Sequence, residues 1–134
     1  MSTIYECRHL GVAINQSAAR AYEFLCKPEN FPKWATGLGR SLERREGEWV
    51  AETPEGSMKV RFSERNAHGV LDHWVYPPQA PQIYIPLRVI ANGEGCELML
   101  TVFRRPQMSD AAFAADAEWV MRDLATAKRL LEAL

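Results

Sequence analysis

Two adjacent residues, Asp72 and His73, are the first candidates for acid–base chemistry in this sequence. They lie in a strand-like run, and alternation along a strand places neighbouring side chains on opposite faces of a sheet. If His73 faces inward, it is the best candidate for proton transfer, because its unperturbed pKa lies near neutrality and a nearby carboxylate can tune it. If His73 faces outward, Asp72 takes that place. The common alternative is a histidine that a strand neighbour satisfies, or that is exposed at the sheet surface, without any catalysis.

Arg88 is the third candidate catalytic residue. It shares a predicted strand face with Tyr84 amid apolar residues, where a charged side chain must be paired or reach solvent. Facing inward, Arg88 would hold a carboxylate or enolate oxygen of a ligand. Alternatively, it forms a salt bridge across strands to Asp72 or Glu97. The sequence leaves open which face of the sheet carries His73 and Arg88.

Other kinds of chemistry lack the residues that they need. The sequence has no nucleophile elbow, phosphate loop or dinucleotide fingerprint, which disfavours hydrolase and nucleotide-dependent functions. Cys7 and His9 can share a strand face, but two groups do not make a metal site. We therefore expect no metal and no cofactor. Three cysteines without a CxxC pattern are typical of free thiols in a reducing compartment.

Composition limits the partners. The 134 residues are 47% hydrophobic, and 16 basic residues nearly balance 17 acidic ones, so we expect no nucleic-acid partner. Arg40, Arg44 and Arg45 form a local basic group, but interleaved glutamates indicate a solvated face. No signal peptide or membrane span can be drawn. The default prediction is a cytoplasmic protein without stable membrane insertion.

A polar turn at residues 106–110 precedes one amphipathic helix that runs to the last residue. Apolar residues recur along it at steps of three and four, the spacing of a single helix face. The stripe consists of Phe113, Ala117, Val120, Leu124, Ala127, Leu131 and Leu134, flanked by Trp119, Met121 and Leu130. Such a stripe must bury against another element.

The chain before this helix has the pattern of a strand, two short helices and six more strands. After a strand at 4–12, Ser17 is the predicted N-cap of a helix, and a helical turn at 28–34 directs Phe31 and Trp34 to the same side. The remaining strands are predicted at 41–45, 48–53, 58–65, 70–76, 83–91 and 96–104, separated by hairpin turns such as 54–56. This order predicts an α+β fold, with a seven-stranded curved antiparallel sheet around the terminal helix.

Three runs of the sequence resemble short bacterial members of the START-like (SRPBCC) superfamily. They are residues 69–75 (GVLDHWV), 86–95 (PLRVIANGEG) and 103–110 (FRRPQMSD). Residues 18–34, with Pro-Glu-Asn and a tryptophan shortly after Phe-Pro, are similar to the same superfamily. It includes polyketide cyclases and dehydrases, birch-pollen-allergen-like (Bet v 1-like) proteins and lipid-transfer domains. The resemblance covers nearly the whole chain and predicts one START-like domain over residues 1–134.

The resemblance implies a helix-grip fold, in which the long C-terminal helix packs on the concave face of the sheet and an apolar cavity lies between them. Aromatic side chains are available to line that cavity. The candidate ligand-binding residues are Trp34, Trp49, Phe62, Trp74, Tyr76, Tyr84, Phe103 and Trp119. For any one of them, filling the core is the alternative role.

Three functions fit this sequence. The first is binding of a small hydrophobic molecule, of aromatic, polyketide-like or lipid type, which requires only the cavity. The second is a polyketide cyclase or dehydratase-like enzyme, in which His73, Asp72, Tyr84 and Arg88 move protons. The third is a protein-interaction domain without a ligand, whose sign is a solid core. Apolar residues on both faces of the strands at 83–91 and 96–104 also predict a homodimer through the convex face.

Overall fold

A computed structural model describes residues 3–37, 41–54 and 56–134, and within them the chain is α+β, as predicted. The strands are β1 (Cys7–Ile14), β2 (Glu43–Arg45), β3 (Glu48–Thr53), β4 (Gly56–Phe62), β5 (His73–Tyr76), β6 (Ile83–Ile85), β7 (Leu87–Asn92) and β8 (Gly95–Phe103). The helices are α1 (Ala18–Leu25), α2 (Phe31–Trp34) and α3 (Asp110–Glu132), with a 3-10 helix over Pro28–Asn30.

Two sequence predictions include residues outside the described ranges. The predicted turn at 54–56 contains Glu55, and the predicted basic group contains Arg40. In the part of the group that the structure describes, Arg45 forms ion pairs with Glu43 and Glu52, at 2.9 and 2.8 Å. These charges are exposed, as expected for a solvated face.

The described strands form two antiparallel sheets, with the orders β1-β8-β7 and β2-β3-β4-β5-β6. The prediction of one seven-stranded sheet is therefore wrong, since the described residues form eight strands in two sheets. The difference arises at Pro86, which divides the predicted strand 83–91 into β6 and β7. Proline has no N–H to donate to a ladder. Accordingly, β6 pairs with β5, whereas β7 pairs with β8.

The residues just before β5 join the two sheets. The Leu71 N–H donates to the Leu87 carbonyl at 2.8 Å, and the Val89 N–H donates to the Gly69 carbonyl at 2.9 Å. Gly69 has a φ of 69°, and a Cβ there would lie 2.3 Å from the Val89 carbonyl oxygen, so only glycine fits. One continuous segment therefore pairs first with β7 and then, as β5, with β6.

A serine caps the first turn of both α1 and α3. Ser17 Oγ accepts a hydrogen bond from the Arg20 N–H at 3.2 Å, which confirms Ser17 as the N-cap. Ser109 Oγ accepts from the Ala112 N–H at 3.0 Å, so α3 begins at the predicted polar turn. The helix ends at Glu132, slightly before the predicted end at the last residue.

Helix α3 packs mainly on β1 and β8 of the three-stranded sheet, beside α2. Its buried residues are Phe113, Ala117, Leu124, Ala127 and Leu131, which confirms most of the predicted stripe. Val120 is only half-buried, and Leu134 is exposed because it lies beyond the helix end. We call the sheet faces directed toward the helices inner and the opposite faces outer.

Candidate functional site

Alternation along β5 separates the candidate residues onto the two faces of the five-stranded sheet. His73 is buried on the inner face, with 3% of its surface exposed, and contacts Phe31 of α2. Trp74 lies on the outer face, opposite Tyr84 in the β5–β6 register. Asp72 has the same parity as Trp74 and also belongs to the outer side. His73 and Asp72 therefore do not converge.

An aromatic cluster surrounds His73 on the inner face. The ring centroids of Phe31 and Phe62 lie 5.2 and 5.9 Å from the imidazole. Trp34 stands edge-on to Phe31 at 5.4 Å, so the two side chains face the same way, as their spacing predicts. Trp49 packs edge-on against Phe62 at 6.4 Å. Three of the eight candidate ligand-binding aromatics thus lie on the side of His73.

A small cavity of about 10 Å³ lies within this cluster. Its lining residues are Leu25, Cys26, Phe31, Trp34, Phe62, Ser63, Leu71, His73 and Leu87. A cavity of roughly 10–15 Å³ holds one water molecule, whereas sites for small organic molecules commonly have volumes of roughly 300–1,000 Å³. In the described structure this part of the interior is therefore nearly filled. The sequence pattern had not marked Cys26 and Ser63 as lining residues, since neither is aromatic or strongly polar.

His73 is neutral at pH 7. Burial among rings and aliphatic side chains disfavours the charged imidazolium and lowers the pKa of His73 to about 4. The Leu71 carbonyl, 3.3 Å from His73 Nδ1, and the nearby Asp72 charge act in the opposite direction but do not outweigh burial. A proton acceptor of such low basicity is a weak general base at neutral pH.

Trp34, which also lines this cavity, carries a second polar atom of interest. Trp34 is 2% exposed, and its Nε1–H has no hydrogen-bond partner among the described residues. A buried donor without a partner costs about 1–3 kcal/mol, so such atoms are rare in proteins and call for an explanation. No sequence pattern distinguishes this tryptophan from one whose N–H is satisfied.

On the outer face, Asp72 is the centre of a saturated polar network. It accepts hydrogen bonds from Arg88 Nε and Nη2, both at 2.8 Å, from the Tyr84 hydroxyl at 2.6 Å and from the Leu87 N–H at 2.9 Å. The Leu87 contact replaces a ladder bond where Pro86 breaks the strand. Of the two options for Arg88, the structure shows the salt bridge with Asp72.

The network holds Asp72 ionised. Burial alone would raise the pKa of Asp72, but the hydrogen bonds from Arg88, Tyr84 and Leu87 outweigh it and lower that pKa to about 2. Hydrogen bonding to Asp72 raises the pKa of Arg88 and also that of Tyr84. With its acceptor positions filled and its charge paired, Asp72 is poorly available for proton transfer.

The outer face also carries a row of stacked side chains. The Arg61 guanidinium lies 4.4 Å from the Trp74 ring centre, Trp74 stacks on Tyr84 at 5.4 Å, and Tyr84 stacks on Phe103 at 6.3 Å. Arg61 Nε also donates to the Tyr76 hydroxyl at 3.2 Å. Four candidate ligand-binding aromatics, Trp74, Tyr76, Tyr84 and Phe103, are therefore separated from the cavity by the sheet.

Trp119, the last of the eight aromatics, lies on α3. It is 46% exposed, and the Arg122 guanidinium lies 4.9 Å from its ring centre. It does not line the cavity beside His73.

The cysteines are free thiols on different parts of the fold. Cys7 and Cys26 are half-buried, whereas Cys96 is buried. Cys7 Sγ lies 3.8 Å from His9 Nε2 on the outer side of β1, and His9 Nδ1 lies 3.0 Å from Thr101 Oγ1. The described residues contain no group of three or more His, Cys, Asp or Glu side chains placed to hold a metal ion.

No protein-family model and no curated protein sequence matches this chain. Solved structures do match. An uncharacterised protein from Bacillus thuringiensis has a TM-score of 0.74 at 13% identity, covering 94% of this chain and 98% of that one. Aha1 from Colwellia psychrerythraea, determined as a dimer, has a TM-score of 0.71 at 13% identity, covering 95% and 96%. Ara h 8.0201 has a TM-score of 0.70 at 11% identity, covering 96% and 99%.

At such low identity these matches show the fold alone. The chain has a START-like fold, which confirms the fold that the resemblance seen in the sequence implies. Among the described helices, none combines the length and apolar character needed to cross a membrane. Fold does not fix function, so the function has to be argued from the site.

Proposed function

We propose that this protein binds a small neutral hydrophobic molecule, of aromatic, polyketide-like or lipid type, between the inner face of the sheet and the helices. The observation that carries the proposal is that one apolar cavity is lined by two buried residues with polar groups. They are the neutral His73 and Trp34, whose Nε1–H has no partner within the described ranges. Binding sites for small molecules combine apolar walls with a few such polar groups.

Binding requires the cavity to open, because a volume of about 10 Å³ does not admit an organic molecule. The end of α1 and the residues after β4 form one wall. Arg65 forms an exposed ion pair with Glu23, and Arg65 Nη1 lies 3.5 Å from Cys26 Sγ. Exposed ion pairs of this kind contribute little to stability. We therefore place the entrance at Cys26, where these contacts can separate at low cost.

The test uses the neutral fluorescent probe N-phenyl-1-naphthylamine and the two half-buried thiols. We expect probe fluorescence to rise on binding, and bound probe to slow the alkylation of Cys26 by iodoacetamide, as measured by mass spectrometry. Cys7, on the outer side of β1, is the matched control and should react at an unchanged rate. Absence of probe binding, or equal protection of both thiols, would contradict the proposal.

A cyclase or dehydratase-like enzyme is the alternative. Of its four candidate residues, Asp72, Tyr84 and Arg88 form the outer network, and His73 lines the cavity. Proton transfer in the cavity would therefore depend on His73 and on groups of the substrate itself. Binding without chemistry needs fewer groups and is better supported than catalysis. The nearly filled interior also fits the third function, a protein-interaction domain without a ligand, which absence of probe binding would favour.

We also propose a homodimer, formed through the outer face of β6, β7 and β8. This face exposes large apolar side chains, with Ile90 at 53% and Tyr84 at 37%. Aromatic residues are enriched at protein interfaces, and the structurally similar Aha1 was determined as a dimer. Light scattering should give a dimer mass that Ile90→Glu reduces to that of a monomer. A monomeric wild type at high concentration would contradict this proposal. A cytoplasmic location stays a prediction from the sequence.

A further inference from the structure

Trp34 and His73 both line the cavity, and each carries a hydrogen-bonding atom without a partner among the described residues. The two atoms are of opposite kind. The first is Trp34 Nε1, which is buried and has no partner among the described residues. An indole N–H can only donate a hydrogen bond. What this atom lacks is therefore an acceptor.

The second atom is His73 Nε2. Nδ1 of the same ring lies 3.3 Å from the Leu71 carbonyl oxygen, and a carbonyl can only accept. The hydrogen of the neutral imidazole therefore sits on Nδ1, which leaves the lone pair on Nε2 free. No described residue donates to Nε2. What this atom lacks is a donor.

We infer that the cavity is a hydroxyl-binding site, which takes one water molecule in the free protein and the hydroxyl group of a phenol-type ligand in the complex. The inference rests on the proposed function and narrows its ligand class. A hydroxyl oxygen accepts from Trp34 Nε1–H while its hydrogen is donated to His73 Nε2. A ketone oxygen would satisfy only Trp34, and an ammonium group only His73.

The size and walls of the cavity support this assignment. Its volume of about 10 Å³ corresponds to one water molecule, that is, to a single hydroxyl oxygen. Phe31 stands edge-on to both Trp34 and His73, at 5.4 and 5.2 Å, so an aromatic ring attached to the hydroxyl would meet aromatic walls. The cavity would bind the hydroxyl end, and the ring would extend toward the entrance at Cys26.

The charge of the lining selects against acids. Its residues are apolar or uncharged, with no lysine or arginine among them. A carboxylate or phosphate entering this site would lose its hydration without gaining a counter-ion, which is strongly unfavourable. The preferred ligands are therefore neutral phenols, not aromatic acids.

The test compares phenol with toluene, in which a methyl group replaces the hydroxyl, and with benzoate. Each is titrated into 15N-labelled protein, and the Trp34 indole N–H and the His73 ring nitrogens are followed by NMR. Phenol should bind about tenfold more tightly than toluene, the equivalent of one net hydrogen bond, and should move the Trp34 resonance. Benzoate should not bind.

Two variants test whether Trp34 Nε1 and His73 Nε2 cause the preference for phenol over toluene. Trp34→Phe removes the donor, and His73→Leu removes the acceptor at nearly constant volume. Each should lower the preference for phenol over toluene, because only one of the two hydrogen bonds to the hydroxyl remains. Trp49→Phe is the matched control, because this ring packs on Phe62 but does not line the cavity, and it should keep the preference. His73→Leu gives an independent answer if Trp34→Phe does not fold.

The outcomes separate this inference from the proposed function. Equal affinity for phenol and toluene, or tight binding of benzoate, would overturn the hydroxyl site and leave the binding function standing. Binding of N-phenyl-1-naphthylamine without any binding of phenol would do the same. If none of the probes binds, both the hydroxyl site and the proposed function are overturned.

Discussion

Asp72 and His73 are adjacent in the chain and almost equally buried, at 5% and 3% exposure. They lie on opposite faces of the sheet, and their hydrogen bonding and charge differ. On the outer face, four hydrogen bonds satisfy the charged Asp72. On the inner face, the neutral His73 has one long contact to a carbonyl. A polar group whose hydrogen-bonding positions are all filled stabilises the fold, whereas a polar group beside a cavity with an unfilled position is available to a ligand.

The same contrast holds for the aromatic residues of the two faces. On the outer face, neighbouring side chains stack on one another in a partly exposed row. The row consists of Arg61, Trp74, Tyr84 and Phe103. The inner cluster of Phe31, Phe62 and Trp34 meets edge-on and encloses the cavity. We therefore assign a structural and interface role to the outer face and the ligand site to the inner face.

The largest effect that this comparison predicts is the loss of the outer carboxylate. Asp72→Ala leaves Arg88 unpaired and the buried Leu87 N–H without an acceptor at the junction of the sheets. Removing one partner of a buried ion pair costs about 3–5 kcal/mol. Since the Arg88 side chain is 46% exposed and can be rehydrated, we expect the lower end, about 3 kcal/mol, in urea unfolding at pH 7.

Glu94→Ala is the control for this variant, because Glu94 is an exposed carboxylate in the turn between β7 and β8. It should change the free energy of unfolding by less than about 0.5 kcal/mol. The folded Asp72→Ala protein should also keep its affinity for N-phenyl-1-naphthylamine. A loss of probe binding without a loss of stability would reverse the roles that we assign to the two faces.

The sequence predicts those features of the structure that depend on residues close to one another in the chain. The stripe of α3 and the cap at Ser17 depend on residues within one or two turns, so local spacing is sufficient to predict them. The break at Pro86 was missed because Tyr84 and Arg88 continue the same alternation on either side of the proline. Alternation describes side-chain direction but not the hydrogen-bond partner of the backbone.

The orientation of His73 could not be predicted for a different reason. Both faces of β5 combine polar and large apolar residues, so the pattern is nearly symmetric. Contact with Phe31, which lies in a helix more than 40 residues earlier in the sequence, decides the inner face. The unsatisfied Trp34 Nε1–H likewise depends on which distant groups are absent around it, and no local pattern reports that.

A pH-dependent effect of similar size follows on the inner face. The pKa of His73 is about 4 in the folded protein and near 6.5 when unfolded, so the unfolded chain binds the proton first as the pH falls. The stabilisation is complete above pH 6.5 and is lost between pH 6.5 and 4. This shift corresponds to about 3 kcal/mol.

Urea unfolding of wild type and His73→Leu across this pH range measures the effect. The wild type should lose about 3 kcal/mol more than the variant between pH 6.5 and 4. At pH 7 the two should differ by less than about 1.5 kcal/mol, because the volume is nearly conserved. Asp123 is half-buried, and desolvation raises the pKa of its carboxyl, but this group is present in both proteins and cancels from the difference. If the free energies of unfolding of the two proteins changed in parallel with pH, His73 would be solvated. That result would weaken our assignment of the ligand site to the inner face.

The smallest effect concerns a single contact of the outer network. Tyr84→Phe removes the hydroxyl that donates to Asp72 at 2.6 Å, while both Arg88 contacts remain. Tyr84 is 37% exposed, so water can replace the lost donor, and we expect a cost of about 1 kcal/mol in urea unfolding at pH 7. Tyr76→Phe, on the same face but without contact to Asp72, should cost less.

The pKa of Asp72 gives this variant a second readout. In the wild type the stabilisation by Asp72 is present above pH 3.8 and is lost as the pH falls toward 2, because the folded pKa lies below the unfolded one. Without the Tyr84 donor the folded pKa should rise toward 3.8, so the variant should lose less stability than the wild type over this range. NMR titration of the Asp72 carboxyl carbon measures this shift directly. An unchanged pKa would mean that Arg88 and the Leu87 N–H alone hold the carboxylate, and that the outer network tolerates the loss of a member.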